Sequence, residues 1–375
     1  MHHARVFLAP LLLLVACADD SPRYELDGLT VRTEDFDEVC AGSFGYFERR
    51  LSWLASQTGL PRDPKGLIFY WYFNGAPSKT CPTGNCSEGR SFYGEWFAFS
   101  HELVHAHLDR LGSPRVWLSE GVAMMLEEDG AGPGDDSQTP SAMVQIEDPG
   151  DLDYGNAGAF TSFLRDRYGM ARLLEYYRAS ASAGAEASMS IFGDVFGDSF
   201  ADVEADYLGL AVFPRSGSPT CDAFEVAWTG ETWEHDFVLT CDEPGSLGPQ
   251  QSWNDGDDDK GPGLFSTVTM MIPPGPVTFE LAATKPIWIT ISGCDQPEWV
   301  YLSPDELEAG ADLVGGKYLV SVQTYLEPVA TATLTARRPL DGAGIGRSRG
   351  RGVASRSPIE PPRGDAYPCK SRRAR

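Results

Sequence analysis

Histidine is scarce in this chain, with six among 375 residues and two of those in the first three positions. Chemistry that needs imidazole must therefore be sought in very few places. Long apolar runs are missing as well. Residues 6–16 form an apolar stretch broken by Pro10, and no other segment approaches 18 consecutive apolar residues. That excludes a multi-span membrane protein built of helices. Basic residues are outnumbered, 30 Lys and Arg against 54 Asp and Glu, for a net charge of −24. Such a surface repels phosphates, which removes the simple electrostatic route to nucleic acid. No C-x-x-C pair occurs, so a zinc site built on thiols has little support. No repeat of 20 to 50 residues is visible, which sets aside solenoids and propellers.

What is present bounds the answer further. The length allows one large or two medium domains, and 42% hydrophobic content argues against wholesale disorder. Charge is unevenly spread. Residues 337–375 carry +8, while residues 18–336 carry −33, so an acidic body bears a basic appendix. From residue 337 onward Gly, Pro, Ser and Arg dominate, and this segment is expected to be a disordered basic tail.

Residues 1–17 read as a signal peptide: a weakly positive start, a short apolar stretch, then Leu14-Val15-Ala16-Cys17. That ending resembles a bacterial lipoprotein processing site, in which the cysteine becomes the acylated first residue. Cys17 is thus the candidate lipidation site, and Ala18 after it favours the outer membrane by the same resemblance. Acyl chains contribute about 0.8 kcal/mol per buried methylene, enough together to anchor a protein without a spanning helix. The expected location is the cell envelope, with residues 18–36 as a polar tether. Seven cysteines remain: Cys40, Cys81, Cys86, Cys221, Cys241, Cys294 and Cys369. In an exported protein they read as disulfides, with at least one left over. Turn formers between Cys81 and Cys86 suit a small local loop, and one pair is expected among Cys221, Cys241 and Cys294.

Apolar spacing predicts helices over residues 39–59, 95–111, 118–128, 156–168, 170–181 and 200–210, with a strand at 67–73 and a surface loop at 129–140. Residues 37–214 therefore form a mostly helical domain with a small sheet. Beyond a Pro/Ser/Gly stretch the texture changes to short alternating runs, such as Ile287-Trp288-Ile289-Thr290-Ile291, and residues 221–336 are expected to be a β-sandwich.

His101-Glu102-Leu103-Val104-His105 matches H-E-x-x-H inside one of the expected helices. Residues four apart share a helical face, so both imidazoles can meet one ion, and Glu102 can reach a water beside it. A third ligand must come from elsewhere. The metzincin continuation fails, because Leu108 and Leu111 stand where it needs Gly and His. His107 points to another side of the helix. Glu120, in Trp117-Leu118-Ser119-Glu120-Gly121-Val122-Ala123, lies on a second helix that a tight Gly-Ser-Pro connection folds back beside the first.

These paired motifs, with Asp153-Tyr154-Gly155-Asn156 and Phe163-Leu164 after them, resemble the gluzincin (peptidase MA-like) zinc metallopeptidases over about residues 40–210. The resemblance implies an α+β zincin-like catalytic domain, one Zn2+ held by His101, His105 and Glu120, and hydrolysis of peptide bonds with Glu102 as general base. It also makes Tyr154 a candidate oxyanion donor, although its residue type equally suits a core aromatic beside Phe160. The spacing of 15 residues between His105 and Glu120 is shorter than in the large aminopeptidase and thermolysin branches. No amine-binding G-x-M-E-N motif precedes the helix. Expected partners are a peptide or protein substrate and the membrane, through Cys17; nucleic acid is not expected. The alternative is an inactive zincin scaffold or an adhesin-like lipoprotein that acts by binding. Two signals are weaker. Asn254-Asp255-Gly256-Asp257-Asp258-Asp259 has the alternating acids of a calcium loop, but Ser266 stands at the twelfth position counted from Asp255. The basic tail has the charge to touch anionic lipid headgroups or nucleic acid, against the plainer expectation of a solvated end.

Overall fold

The structure is a computed structural model. It describes residues 22–33, 39–72, 81, 85–94, 100–128, 132–135, 137–211, 213–216, 221, 223–251, 262–294, 298–325 and 329–338. Cys17, Cys369, the acidic run at 254–259 and the tail from residue 339 lie outside the described residues.

The described residues open with a hairpin, β1 (Arg23–Leu26) and β2 (Leu29–Thr33), followed by α1 (Ala41–Thr58), β3 (Leu67–Trp71), β4 (Cys86–Glu88) and β5 (Ser91–Gly94). The expectation of a tether over residues 18–36 is corrected for the hairpin. Asp27-Gly28 is a two-residue turn with Gly28 at φ +81°, flanked by alternating side chains that bury Leu29 and Val31. Local acidity and polarity had masked that alternation. The five strands form one mixed sheet in the order β1-β2-β3-β5-β4, with β3 parallel to both β2 and β5. Helix α1 buries Tyr46, Phe47, Leu51 and Leu54 on one face and ends at Gly59, whose φ of +66° supplies the left-handed cap.

The helical layer continues with α2 (Ser100–Leu108), a 3-10 turn at Asp109–Leu111, and α3 (Val116–Leu126). After a short strand β6 (Gly132–Pro133) come α4 (Pro140–Gln145), α5 (Tyr154–Tyr168), α6 (Met170–Ala179), α7 (Ala185–Phe196) and α8 (Phe200–Leu208). Helices α4 and α7 were not expected. The first hides behind a Pro at its start, capped by Thr139, and the second is flanked by Gly184 and Gly197 in a small-residue stretch. Eight of the eleven residues of α3 are buried, so this helix runs through the core and its polar side chains are placed rather than solvated.

The remainder is β structure: β7 (Arg215–Ser216), β8 (Glu225–Val226), β9 (Thr232–Leu239), β10 (Ser246–Gln251), β11 (Pro262–Ile272), β12 (Gly275–Ala283), β13 (Ile287–Gly293), β14 (Trp299–Leu302), β15 (Glu308–Leu313), β16 (Gly316–Tyr325) and β17 (Ala330–Arg337). One sheet runs β10-β11-β16-β13-β14 with β8 added to β11, and a second runs β15-β12-β17-β9. Alternating residues of both sheets, among them Phe237, Phe279, Ile289, Val320 and Leu334, share one apolar core. Strand β17 extends through Arg337, where the tail was expected to start.

This β region is fastened to α1. Cys40 pairs with Cys241, the Cys40 amide donates to the Gly248 carbonyl, and Ser43 Oγ hydrogen-bonds both backbone groups of Gly248. A Cβ on Gly42 would meet the Ser246 carbonyl at 2.5 Å, so only glycine allows this approach. Leu247 and Phe265 enter the core of the helical region. Cys81–Cys86 and Cys221–Cys294 are the other disulfides. Of the three C-terminal candidates, Cys241 pairs across regions instead of within its own.

Candidate metal centre

Helices α2 and α3 build the site. The 3-10 turn at Asp109–Leu111, closed by Gly112 at φ +94°, reverses the chain within a few residues. The two helices then lie side by side, with α5 against α3. Gly121 permits that last contact: a Cβ there would lie 2.6 Å from the Ala157 carbonyl and 2.7 Å from Thr161 Cγ2. Thr161 Oγ1 donates to the Gly121 carbonyl at 2.7 Å, using the gap.

His101 Nε2 and His105 Nε2 lie 3.1 Å apart, and Glu120 Oε2 lies 3.0 Å from the first and 3.1 Å from the second. Three donor atoms thus converge on one point. Ligands about 2.0–2.1 Å from a tetrahedral ion stand roughly 3.4 Å from one another, close to this triangle. Two neutral-capable imidazoles and one carboxylate are a borderline nitrogen and oxygen donor set, so the residues fit a divalent ion such as Zn2+.

Electrostatics bind the cluster together. Burial opposes charge on His101, but hydrogen bonds to Glu120 and Glu127 outweigh it and hold its pKa well above the ordinary histidine value. Burial would likewise raise Glu120, yet the imidazoles of His105 and His101 hold its carboxyl far below the usual range. Glu102 is pushed up, first by burial, against the opposing pull of His105 and His101. A hydrogen bond with Ser87 on β4 also touches Glu102. Tyr154 begins α5, and its ring centroid is 5.9 Å from that of His101. Burial, then the charges of Glu120 and Glu102, push its phenol far above its ordinary pKa.

His107 faces away. Its Nε2 lies 3.0 Å from Thr58 Oγ1 on α1, and burial lowers its pKa to about 4. Two site neighbours escaped sequence reasoning. Glu127 Oε2 lies 2.9 Å from His101 Nδ1, and Ser119 Oγ lies 3.3 Å from His105 Nδ1. The available signal was periodicity, since Glu127, the C-cap of α3, is seven residues past Glu120 and so lies below the same face of the helix.

No family model matches the chain, and no curated protein matches it. Among solved structures, Legionella pneumophila aminopeptidase A, crystallised with aspartic acid, aligns at 10% identity and a TM-score of 0.35, covering 79% of this chain and 34% of that one. A family two carbohydrate esterase from Cellvibrio japonicus aligns at 13% identity and a TM-score of 0.15, covering 29% of this chain and 34% of that one. The chain therefore spans about a third of the length of each. Both likenesses are too low to define a fold or an activity.

Proposed function

We propose that this chain is a zinc-dependent peptidase of the gluzincin type. In this reading residues 37–214 form the zincin-like catalytic domain, residues 221–336 a β-sandwich accessory domain, and Cys17 carries a lipid anchor to the outer membrane. One observation carries the reading: His101, His105 and Glu120 aim three donor atoms at one point, with Glu102 on the same helix turn.

A bound Zn2+ would supply the Lewis acid that polarises a scissile carbonyl and acidifies water. The chain's own groups do the rest. Glu102, its pKa raised by burial, is suited to take a proton from the attacking water and return it to the leaving amine. Tyr154 is protonated at neutral pH, as any phenol is and all the more with its pKa raised, so its hydroxyl can donate to a developing oxyanion. Among the described residues β4 pairs only with β5, and it packs against α2. An extended peptide could add to that edge through main-chain hydrogen bonds, which favours a peptide over a compact small molecule. Ser87, on the same edge strand, touches Glu102 and would link substrate docking to the base.

Metal analysis combined with casein and peptide-library cleavage tests the proposal. Wild type is expected to hold one equivalent of zinc and to cleave. Glu102→Gln should keep the zinc and lose about 10²–10⁴-fold in rate. Glu120→Ala should lose the zinc. Full activity in Glu102→Gln would refute the assigned base, and wild type without stoichiometric zinc would remove the reading altogether.

A further inference from the structure

Both candidate ligand imidazoles have a second nitrogen, and α3 meets each of them. We propose that Glu127 and Ser119 are positioning residues that set the orientation and tautomer of His101 and His105; this rests on the metal-site reading above. Helix α3 would then supply one ligand, Glu120, and also the holders of the other two.

The geometry carries the argument. His101 is 5% exposed and Glu127 is 8% exposed, so their contact is shielded from water. An ionised carboxylate can only accept, so at 2.9 Å it takes a hydrogen bond from His101 Nδ1–H. A neutral His101 with its proton on Nδ1 must leave Nε2 as the lone-pair nitrogen, and that is the atom 3.0 Å from Glu120 Oε2. The ring is therefore held at Nδ1 by the C-cap residue of α3, with Nε2 turned toward Glu120 on the same helix and left as the metal-binding atom. Glu120 and Glu127 are two turns apart on the same face, about 10.5 Å along the axis, and their side chains reach the ring from its two ends.

His105 repeats the arrangement with a neutral partner. Its Nδ1 lies 3.3 Å from Ser119 Oγ, and Ser119 Oγ lies 3.5 Å from the Tyr177 hydroxyl. A hydroxyl is both donor and acceptor. Ser119 can accept from His105 Nδ1–H and pass its own proton toward Tyr177, again leaving Nε2 free to bind. Ser119 precedes Glu120, so a single rotation of α3 would disturb a ligand and a holder together. The two holders differ in charge: the carboxylate should raise ligand basicity more than the hydroxyl does.

The test titrates the full chain with Zn2+ against a competing chelator and records the visible spectrum of its Co2+ form, for wild type, Glu127→Gln, Glu127→Ala and Ser119→Ala. Folding is checked by the metal-free melting temperature. Glu127→Gln keeps size and shape but loses the acceptor charge. It should weaken zinc binding about 10–100-fold and shift the Co2+ spectrum, and Ser119→Ala should act in the same direction to a smaller extent. A merely structural role would lower the metal-free melting temperature without moving affinity or spectrum. If wild type binds zinc and both Glu127→Gln and Ser119→Ala bind it equally well with unchanged spectra, this inference is wrong while the metal site stands. If wild type itself binds no zinc, the metal-site reading fails first. Should Glu127→Ala not fold, the isosteric Glu127→Gln decides.

Discussion

Around α1, α2 and α3 the protein buries Arg50, His101, His107, Glu127 and Glu128, each no more than 8% exposed. Among the described residues of the β region, the buried polar groups are Ser246, Thr269, Gln323, Thr324 and Thr335, none of them charged. Burying an ion costs several kcal/mol unless it is paired, so a region does so only where partners are built in. Here they are. Arg50 reaches the Leu126 carbonyl and lies over the Trp53 ring, Tyr46 donates to Glu128, and His101 sits between two carboxylates. The described β region instead buries apolar side chains between two sheets. Within the helical region, the shifted groups His101, Glu102, Glu120 and Tyr154 cluster at the candidate metal centre.

The two regions nonetheless share a seam, and the largest expected effect breaks the contrast there. A chain ending at residue 220 would lose Cys241, the Gly248 contacts to α1, and Leu247 and Phe265 from the helical core. Such a truncation is expected to yield little soluble folded protein, as limited proteolysis and size-exclusion chromatography would reveal. A well-folded, active fragment would mean that the regions are independent. Next in size, Ile289→Ala in the centre of the β core should cost about 2–5 kcal/mol in denaturant unfolding yet leave zinc affinity unchanged.

Burial of a neutral imidazole predicts an acid limit in the helical region. His107 has its pKa lowered from 6.5 to about 4 in the folded chain, so the unfolded state binds the extra proton. Stability from this group is complete above pH 6.5 and is lost as pH falls toward 4, by about 3 kcal/mol at most. Replacing His107 by Gln should flatten that part of the stability profile, and an unchanged profile would assign acid sensitivity elsewhere. The smallest effect is the sharpest. Gly121→Ala gains about 1 kcal/mol of helix propensity but forces α5 away from α3, for a net loss of about 1 kcal/mol. Because α5 carries Tyr154, hydrolysis should fall by more than stability does, and equal small losses would detach Tyr154 from the chemistry.

Legibility followed the range of the interaction. His101, Glu102 and His105 stand within five residues on one helix, so their spacing alone put them together. Glu120 needed only a short connection, and its motif was local. Alternation exposed most strands from β11 onward, because a two-sheet core writes its pattern on each strand separately. The β1–β2 hairpin was missed although Asp27-Gly28 signalled it, since its polarity outweighed the alternation. Helix α4 was missed because its six residues are too few to show a period. Cys40–Cys241 spans 201 positions, and no local pattern selects a partner at that distance.

The sequence by itself determined the helix carrying H-E-x-x-H, the acid that follows on the next helix, the change from helical to strand texture, and the excess of acid over base. Only the tertiary structure decided which groups hold the second nitrogens of the two imidazoles, which cysteines pair, and that the β region is latched to α1. Periodicity along a chain records which face of an element is buried. It does not record what that face meets, because the meeting depends on three-dimensional packing between residues far apart in sequence.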